Sequence, residues 1–464
     1  MTTENYDLII VGTGSGNSVI NDEMAGWKIA IVERWTFGGT CLNRGCIPSK
    51  MQVYAADVAE SAAHDNSTKY GVATRFESAD WPAIVRRVFN RIDPIAEDGR
   101  LYRLSLPHVS VYQGDANFVG ERTLEVNGDT ITGDRIVLAN GARSFIPDIH
   151  GIHDVPYHTS DTILRIAHQP KHLVVLGGGF IAAELGHVFA SLGSRVTIVN
   201  RSHRMLRMQD HEISQRYTEL AGDRFELFLG AHVERAYMTA EGIAVRLSTD
   251  GDNHIVVEGD TLLVAAGRTP NGDDITAEAG GVEIGIDGRV IVDEYGRTSA
   301  DGVWALGDVN GRYQLKHMAN GEAKVIQHNL LHPDDLREFD HRPAPHAVFG
   351  SPQIGTVGLT ETAAIELGIP ISVIRQAYGS AAYGWALEDD AGFCKLIGDP
   401  ATRMLLGAHV IGYQASLLVQ LLVQGMHLGN TVDQMANGQV WIHPALSEVV
   451  EQALLSLIDA FDQP

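Results

Sequence analysis

The sequence predicts an α/β protein with two Rossmann-like domains, followed by a C-terminal α+β domain. Two glycine-rich turns predict the Rossmann-like domains, because each directly follows a short apolar strand, Leu8–Val11 in one case and Leu173–Leu176 in the other. A change in the pattern of predicted secondary structure indicates the third domain. After Pro343 and Pro345, β-like segments are followed by two long helical segments. A length of 464 residues accommodates about three domains.

The first glycine turn is typical of a dinucleotide-binding βαβ unit. It contains Gly12, Gly14 and Gly16, and the pattern predicts a helix after the turn and then a strand that ends at Glu33. Gly12 permits the tight turn, Gly14 lets the backbone approach a pyrophosphate, and the carboxylate of Glu33 can accept hydrogen bonds from a ribose. Asn17 departs from the pattern, since a third glycine or an alanine is usual there.

The second glycine turn has the same register. Gly177, Gly179 and Ala182 predict a helix through Leu192, and the strand Val196–Val199 follows. Two such units in one chain imply two bound dinucleotides, which is a more specific signal than either turn alone.

The residues after this strand indicate which nicotinamide cofactor binds. Asn200 stands where an NAD site would place an acidic residue, and Arg201, Arg204 and Arg207 follow it. Without the carboxylate a 2′-phosphate meets no repulsion, and the arginines can supply charge-assisted donors. The pattern favours NADPH over NADH. The alternative is that some of these arginines form a solvated face.

Two of the three cysteines, Cys41 and Cys46, are five positions apart. On a regular helix their α-carbons would be roughly 8 to 9 Å apart, whereas a disulfide needs them below about 7 Å. A bond therefore requires a turn that departs from helical geometry, which Gly45 makes feasible. Pro48 suits the first turn of the following helix, and that helix N-terminus together with Lys50 would favour a thiolate at Cys46.

A nucleophilic, reversibly oxidisable pair is the interpretation these features favour. A structural disulfide is one alternative, although so short a loop restricts the unfolded chain only modestly. A zinc site is another, but it would need further Cys or His ligands, and we predict no metal site. Three cysteines in a chain of this length indicate a reducing cytosol. Cys394, within an apolar strand, is expected to be a buried small residue.

A second candidate for chemistry is His443, five residues before Glu448. A histidine can move protons near neutral pH, and the carboxylate is close enough to orient its ring. Taken alone, a histidine before a helix is more often a cap or a core residue. The presence of a dithiol elsewhere in the chain favours the acid–base role.

The charge and the apolar runs restrict the partners. A net charge of −23 disfavours nucleic acid and anionic membranes. The apolar runs are shorter than the roughly 20 residues of a membrane span, and the strand that begins by Tyr6 leaves no room for a signal peptide. We therefore predict a cytoplasmic protein.

Three smaller markers complete the pattern. Ile136–Arg143 and Leu262–Pro270 are apolar strands that end in glycine turns, which suggests related crossovers between domains. Asp308, in a Gly-Asp pair after a third strand, could accept hydrogen bonds from the sugar or ribityl hydroxyls of a cofactor. An isolated Gly-Asp pair is more often an ordinary turn.

In the order of these motifs the chain resembles the pyridine nucleotide-disulfide oxidoreductases, the group of glutathione reductase and dihydrolipoamide dehydrogenase, over nearly its whole length. The resemblance implies an FAD-binding domain at 1–146 and 271–341, an NADPH-binding domain at 147–270, and an interface domain at 342–464 that forms a homodimer. Within the family the chain is most similar to the mycothione reductases. The stretches that carry this similarity lie at 12–18, 157–162, 382–386, 412–416 and 441–446.

The resemblance also implies roles for individual residues. Cys46 would be the thiolate next to FAD, Cys41 would attack a low-molecular-weight disulfide, and the partner subunit's His443, oriented by Glu448, would move the proton. The implied FAD contacts are Gly12, Gly14, Gly16, Glu33, Gly39, Thr40, Lys50, Gly114, Ala116, Gly141 and Asp308. The implied NADPH contacts are Gly177, Gly179, Phe180, Ile181, Glu184, Arg201, Arg204 and Gly267. Phe180 would gate the nicotinamide pocket, and the Lys50–Glu184 pair would lie near the flavin.

Mycothiol disulfide (mycothione) is the expected substrate, with lipoamide and glutathione disulfide as alternatives. The residues around the dithiol resemble those of lipoamide dehydrogenase more than those of glutathione reductase, so they do not identify the substrate. Asn140 replaces the usual Thr or Ser of its turn, and Ala445 replaces the usual Thr after His-Pro. The chain has no C-terminal cysteine pair, which disfavours mercuric reductase and the large thioredoxin reductases.

Overall fold

Five β-sheets organise the chain in the computed structural model, which describes residues 3–63, 67–249, 253–340 and 342–463. The strands are β1 (Glu4–Val11), β2 (Ile29–Glu33), β3 (Val109–Gln113), β4 (Ala116–Gly120), β5 (Thr123–Val126), β6 (Asp129–Leu138), β7 (Ala142–Ser144), β8 (His172–Leu176), β9 (Arg195–Asn200), β10 (Glu226–Leu229), β11 (His232–Met238), β12 (Ile243–Thr249), β13 (Asn253–Gly259), β14 (Thr261–Val264), β15 (Arg268–Pro270), β16 (Val303–Ala305), β17 (His346–Val348), β18 (Gln353–Gly358), β19 (Ser372–Ala377), β20 (Phe393–Asp399) and β21 (Met404–Gly412). The α-helices are α1 (Gly39–Arg44), α2 (Cys46–Ala62), α3 (Trp81–Ser105), α4 (Ser160–Ile163), α5 (Phe180–Ser191), α6 (His211–Gly222), α7 (Lys316–Leu331), α8 (Glu361–Glu366), α9 (Ala382–Leu387), α10 (Ala415–Leu428), α11 (Val432–Asn437) and α12 (Ser447–Phe461).

The first sheet has a parallel core in the order β3, β2, β1, β6, and β16 also pairs in parallel with β6. Strands β5 and β4 extend the sheet from β6 in antiparallel pairing. All five residues of β2 are buried, as expected for a parallel strand covered on both faces. Because β16 lies after the second glycine turn in the chain, segments on both sides of that unit build the first sheet.

The helix predicted directly after the first glycine turn is not formed, and this prediction was wrong. Two short 3₁₀ turns, Gly16–Ser18 and Asp22–Met24, occupy the connection between β1 and β2. Asn17 accepts hydrogen bonds from the Arg103 guanidinium, to its side-chain Oδ1 at 2.8 Å and to its carbonyl at 2.7 Å. A side chain of α3 thus satisfies the Asn17 backbone carbonyl, which a regular α-helix would have satisfied internally, and also the Asn17 side-chain oxygen.

The second unit forms as predicted, with the parallel order β10, β9, β8, β14 and with α5 directly after the turn. Gly177 has φ +124°, and a Cβ there would lie 2.2 Å from the Ala265 carbonyl oxygen. Only glycine fits this close approach between the turn and the end of β14. Strands β11, β12 and β13 form a separate antiparallel sheet, and β7 pairs with β15.

The C-terminal region is a five-stranded antiparallel sheet in the order β17, β18, β21, β20, β19. Helices α10 and α12 contribute Leu418, Leu422 and Leu454 to the core beneath it. Cys394 is fully buried in β20, as expected, and burial raises the pKa of its thiol to about 12.

The α/β architecture and its C-terminal α+β region are confirmed, whereas the residue boundaries of the three domains stay a prediction. Within the described ranges, no helix combines the length and the apolar composition needed to cross a bilayer.

Candidate active site

The dithiol lies at a break between two helices. Helix α1 ends at Arg44, Gly45 adopts φ −135° and ψ −119°, and α2 begins at Cys46. A Cβ on Gly45 would lie 3.0 Å from the Thr40 carbonyl oxygen and 3.3 Å from the Cys41 α-carbon. The chain therefore departs from helical geometry where the two cysteines must approach each other.

The two thiols differ in their electrostatics. Both are free in the structure; Cys41 is half-buried and Cys46 is exposed. The Cys41 S–H donates to the Cys46 sulfur, and this hydrogen bond lowers the pKa of Cys46 to about 7, with burial opposing and the Lys50 charge assisting. The same hydrogen bond, together with burial, raises the pKa of Cys41. Near neutral pH, Cys46 carries the negative charge and Cys41 keeps the proton.

A buried ion pair joins the dithiol helix to the second unit. The Lys50 ammonium, one turn after Cys46, lies 2.6 Å from Glu184 Oε2 on α5. Glu184 is 4% exposed, and its other oxygen accepts a hydrogen bond from the Phe349 backbone N–H at 3.0 Å. The structure thus brings together Lys50 and Glu184 as the resemblance implied.

One elongated cavity runs along the carboxyl edge of the first sheet to the dithiol. Cys41 and Cys46 line it together with Phe180, Ile181 and Glu184. All predicted FAD residues except Gly16 line this cavity: Gly12, Gly14, Glu33, Gly39, Thr40, Lys50, Gly114, Ala116, Gly141 and Asp308. Gly16 has a packing role instead, because a Cβ there would lie 2.6 Å from the Ala139 Cβ.

The cavity fits the predicted FAD. Nothing lies within 4 Å of a Cβ built on Gly14, so the backbone there faces open space that a pyrophosphate can approach. The Asn140 Oδ1 atom is buried and has no hydrogen-bond partner among the described residues, which leaves an acceptor for a ligand. Glu33 accepts from the Thr13 N–H at 2.9 Å and from the Trp35 N–H at 2.8 Å, so its carboxylate is held at the end of β2.

Asn140, which replaces the Thr or Ser usual in this turn, forms hydrogen bonds of its own. Its Nδ2 donates to the Asn271 carbonyl at 2.8 Å, and Asn271 Nδ2 donates back to the Asn140 carbonyl at 2.8 Å. This reciprocal pair ties the turn after β6 to the segment after β15.

The glycines of the second turn do not line this cavity, although Phe180, which directly follows Gly179, does. Gly177, Gly179 and Gly267 are not among its lining residues. Asn200, at the end of β9, donates from Nδ2 to the carbonyls of Ser202 at 3.0 Å and Arg204 at 2.9 Å. The side chain predicted to replace an acidic residue therefore organises the loop that carries the arginines.

The arginines of this loop differ in their surroundings. Arg201 is exposed, whereas Arg204 is half-buried and donates to the His211 carbonyl at 3.4 Å. A Cβ on Gly178 would lie 2.5 Å from Asn200 Nδ2, so the loop and the glycine turn are adjacent. A 2′-phosphate bound beside Asn200 would find these cations nearby.

The predicted histidine pair forms within one chain. His443 Nδ1 lies 2.7 Å from Glu448 Oε1, and Glu448 Oε2 accepts from the Ala445 N–H at 3.1 Å. The hydrogen bond from His443 lowers the pKa of Glu448. The His443 side chain is 73% exposed, and the described residues that line the dithiol cavity do not include it. The bond to Pro444 is cis.

Sequence reasoning missed several residues of the cavity. The charged and polar ones are Thr13, Ser15, Arg34, Arg44, Ser49, Asp115, Ser160, Arg268, Asn271, Asp274, Gln314 and Lys316. Thr13, Ser15, Arg44, Ser49, Ser160 and Arg268 lie inside stretches that the sequence had already marked, but the spacing gave them no role, and the others come from segments far apart in the chain. Lys316, for example, is the first residue of α7, and no spacing in the sequence relates it to the glycine turn whose cavity it lines.

Comparison with known families decides the assignment. Residues 6–323 match the model described as pyridine nucleotide-disulphide oxidoreductase, and residues 344–454 match the dimerisation domain of the same group. The chain belongs to the pyridine nucleotide-disulphide oxidoreductases. The matched dimerisation domain indicates that this oxidoreductase forms a dimer.

Two relatives and one solved structure give the degree of similarity to individual members of the family. The mycothione reductase of Mycobacterium tuberculosis (strain CDC 1551 / Oshkosh) is 49% identical over 464 residues, covering 98% of this chain and 100% of the relative. The mercuric reductase of Staphylococcus aureus is 31% identical over 93% of this chain and 79% of its own. The solved HOCl-induced flavoprotein disulfide reductase RclA from Escherichia coli superposes with a TM-score of 0.83 at 28% identity, over 98% of this chain and 99% of that one.

These findings confirm the predicted enzyme class. The pyridine nucleotide-disulphide oxidoreductase described here uses FAD and a nicotinamide dinucleotide to reduce a small disulfide. The resemblance to mycothione reductases that was read from its motifs is confirmed by the identity over the full length of both chains.

Proposed function

We propose that this enzyme reduces mycothione with electrons from NADPH, through FAD and the Cys41–Cys46 dithiol. The observation that supports mycothione as the substrate is the 49% identity to a mycothione reductase over the full length of both chains. Relatives named for other substrates, such as mercuric ion, are 31% identical. The cytoplasmic location predicted from the sequence stays a prediction.

The electron path is supported by the order of groups along the cavity. FAD, when bound, supplies two-electron transfer between the nicotinamide and the disulfide. Phe180 is 51% exposed at the start of α5 and lines the cavity with Glu184, so it is placed to cover a nicotinamide entry. The Lys50–Glu184 pair fixes α2 against α5 and thereby holds Cys46 at the cavity that would hold FAD.

The reduced dithiol has distinct roles for its two sulfurs. Cys46, with a pKa of about 7, holds the negative charge, and Cys41 holds the proton in the hydrogen bond between them. When Cys41 loses that proton, its thiolate attacks one substrate sulfur and releases the other half as a thiol. Cys46 then attacks the Cys41 sulfur, breaks the mixed disulfide, restores the internal disulfide and releases the second half of the substrate as a thiolate, which takes a proton from solvent.

Proton transfer requires a second copy of the chain. We infer that the partner subunit's His443 accepts the Cys41 proton and returns it to the departing substrate thiolate. The Nδ1–H donated to Glu448 leaves the other ring nitrogen as the base. His443 is flanked by Val440 and Ile442, which are 96% and 73% exposed, so this segment is placed to pack against a partner.

The loop after β9 favours NADPH. Arg201→Ala combined with Arg204→Ala is expected to raise the KM for NADPH by about 10- to 100-fold, because charge-assisted contacts to the 2′-phosphate are lost. The KM for NADH should change less than about threefold, since NADH has no 2′-phosphate. Steady-state kinetics with both cofactors checks this. Arg195→Ala is the matched control, because Arg195 lies at the other end of β9 and pairs with Glu226. A parallel rise for both cofactors would assign the arginines to a solvated face.

A turnover panel tests the substrate. Mycothione, glutathione disulfide and lipoamide are each offered with NADPH and with NADH. The expected kcat/KM for mycothione with NADPH exceeds that for the other two disulfides by at least about 100-fold, the discrimination a polar pocket gives. Comparable or faster reduction of lipoamide with NADH would instead favour a dihydrolipoamide dehydrogenase.

A further inference from the structure

Lys316 holds a positive charge in the cofactor cavity. It is the first residue of α7, it is half-buried, and it lines the cavity that Cys41 and Cys46 also line. Its Nζ donates to Ser15 Oγ at 2.8 Å, and Ser15 Oγ donates to Asn320 Oδ1 at 3.1 Å. The lysine is therefore fixed to the first glycine turn by a directed chain of hydrogen bonds.

This charge is not neutralised by a carboxylate. Lys50 also lines the cavity but lies 2.6 Å from Glu184. In the described part of the chain, no carboxylate oxygen forms an ion pair with Lys316 within the 4.0 Å that defines one. The groups whose charge acts on it are Cys41, Cys46 and Asp308; they raise its pKa, although burial has the larger effect and lowers it. Burial also raises the pKa of Asp308, which weakens that residue as a counter-charge.

Reduction of the dithiol puts a negative charge in the cavity that this cation lines. The disulfide accepts one electron pair and one proton, the S–S bond breaks, and Cys46 becomes a thiolate while Cys41 becomes a thiol. One net negative charge therefore remains in a partly buried site. A cation within about 4 to 6 Å of such a group favours its charged form.

We propose that Lys316 supplies the positive charge that stabilises the reduced, anionic dithiol, with Ser15 positioning its ammonium. This rests on the proposed function of the dithiol. Lys316 exchanges neither a proton nor an electron; it acts through its charge. Lys50 and Glu184 also act on the dithiol: the Lys50 charge lowers the pKa of Cys46, Glu184 raises it, and the two groups form an ion pair at 2.6 Å.

A pH titration of the reduced holoenzyme tests the proposal. The thiolate of Cys46 is followed by its long-wavelength absorbance beside the flavin, in the native enzyme, Lys316→Met and Lys316→Arg. The native half-point is expected at pH about 7. Loss of the charge in Lys316→Met should raise it by about one pH unit, whereas Lys316→Arg should leave it within about 0.3 unit. Lys324→Met is the matched control, because Lys324 is exposed on the same helix.

The outcomes of this titration test the role of Lys316 separately from the substrate assignment. A half-point in Lys316→Met equal to the native value, with FAD retained, overturns it. Flavin content and the unfolding midpoint are measured on each variant. Should Lys316→Met release FAD, Lys316→Gln, which can keep a hydrogen bond to Ser15, is titrated instead, and an unshifted half-point there is equally decisive. If the native enzyme does not reduce mycothione, the substrate assignment is wrong, but the titration still decides the role of Lys316.

Discussion

Cys41→Ser is expected to lower disulfide turnover by at least about 10³-fold, because serine cannot form a mixed disulfide with the substrate. FAD should stay bound and should still be reduced by NADPH, since neither step needs the Cys41 sulfur. The measurements are steady-state turnover of the disulfide and stopped-flow reduction of the flavin absorbance. The variant thus separates the two half-reactions in one experiment.

The control for this variant is Cys394→Ala. Cys394 is fully buried in β20, away from the cavity, so its removal tests whether losing any cysteine disturbs turnover. Retained turnover in Cys394→Ala and loss in Cys41→Ser would assign the chemistry to the dithiol. Native-like turnover in Cys41→Ser would contradict the dithiol mechanism altogether.

A thiolate assay would add a second readout to the same variant. Removing the Cys41 S–H takes away the largest contribution that lowers the pKa of Cys46, although serine can donate a weaker hydrogen bond in its place. Below pH about 7 the native enzyme loses its thiolate by protonation, and above that pH it keeps it. In Cys41→Ser we therefore expect this transition to move to higher pH.

The parts of the fold that local rules govern could be predicted from the sequence. Gly177 and the apolar strand before it predict the turn and the helix α5, and both form, because the close approach to the Ala265 carbonyl tolerates only glycine. Gly45 likewise predicts the break between α1 and α2 that positions the cysteines. In each case the constraint lies within a few residues of the chain.

Where a distant side chain competes with a local preference, the prediction was wrong. The helix expected after Gly12 is replaced by 3₁₀ turns, and Arg103 and Gln327 instead bind the carbonyls of Asn17, Ser18 and Val19. Nothing near Asn17 in the sequence shows that α3 would bring an arginine to it. Asn17 itself was visible only as a departure from a pattern.

The residues that line the cavity also divide into those that local spacing reveals and those that only the fold brings together. Gly12, Gly14 and Glu33 could be found by spacing, because they belong to the first glycine turn and to the strand that follows it. Lys316 and Asn271 could not, since they reach the cavity through the order of strands in the first sheet and through the return of the chain after β15. His443 lies outside that cavity in its own chain, and under the proposed function its target is the dithiol of the partner subunit, which no residue near His443 in the sequence indicates.

His443→Gln is expected to lower turnover by about 10²- to 10⁴-fold, the usual contribution of a general acid–base. Glutamine cannot hold the Cys41 proton, yet it preserves much of the ring's volume and can still donate to Glu448. Reduction of the flavin by NADPH should be unchanged, because that half-reaction precedes thiol exchange. Rapid-mixing measurement of both half-reactions checks this, and equal slowing of the two would contradict the role of His443.

Hybrid dimers decide whether the histidine acts across the subunit boundary. Each of the homodimers Cys41→Ser and His443→Gln should be inactive. Co-expressed with different affinity tags and purified as a heterodimer, they place the intact Cys41 of one subunit opposite the intact histidine of the other. One of the two sites is then complete, so about half of native turnover is expected. If His443 served the dithiol of its own chain, neither site would be complete and the heterodimer would be as inactive as its parents.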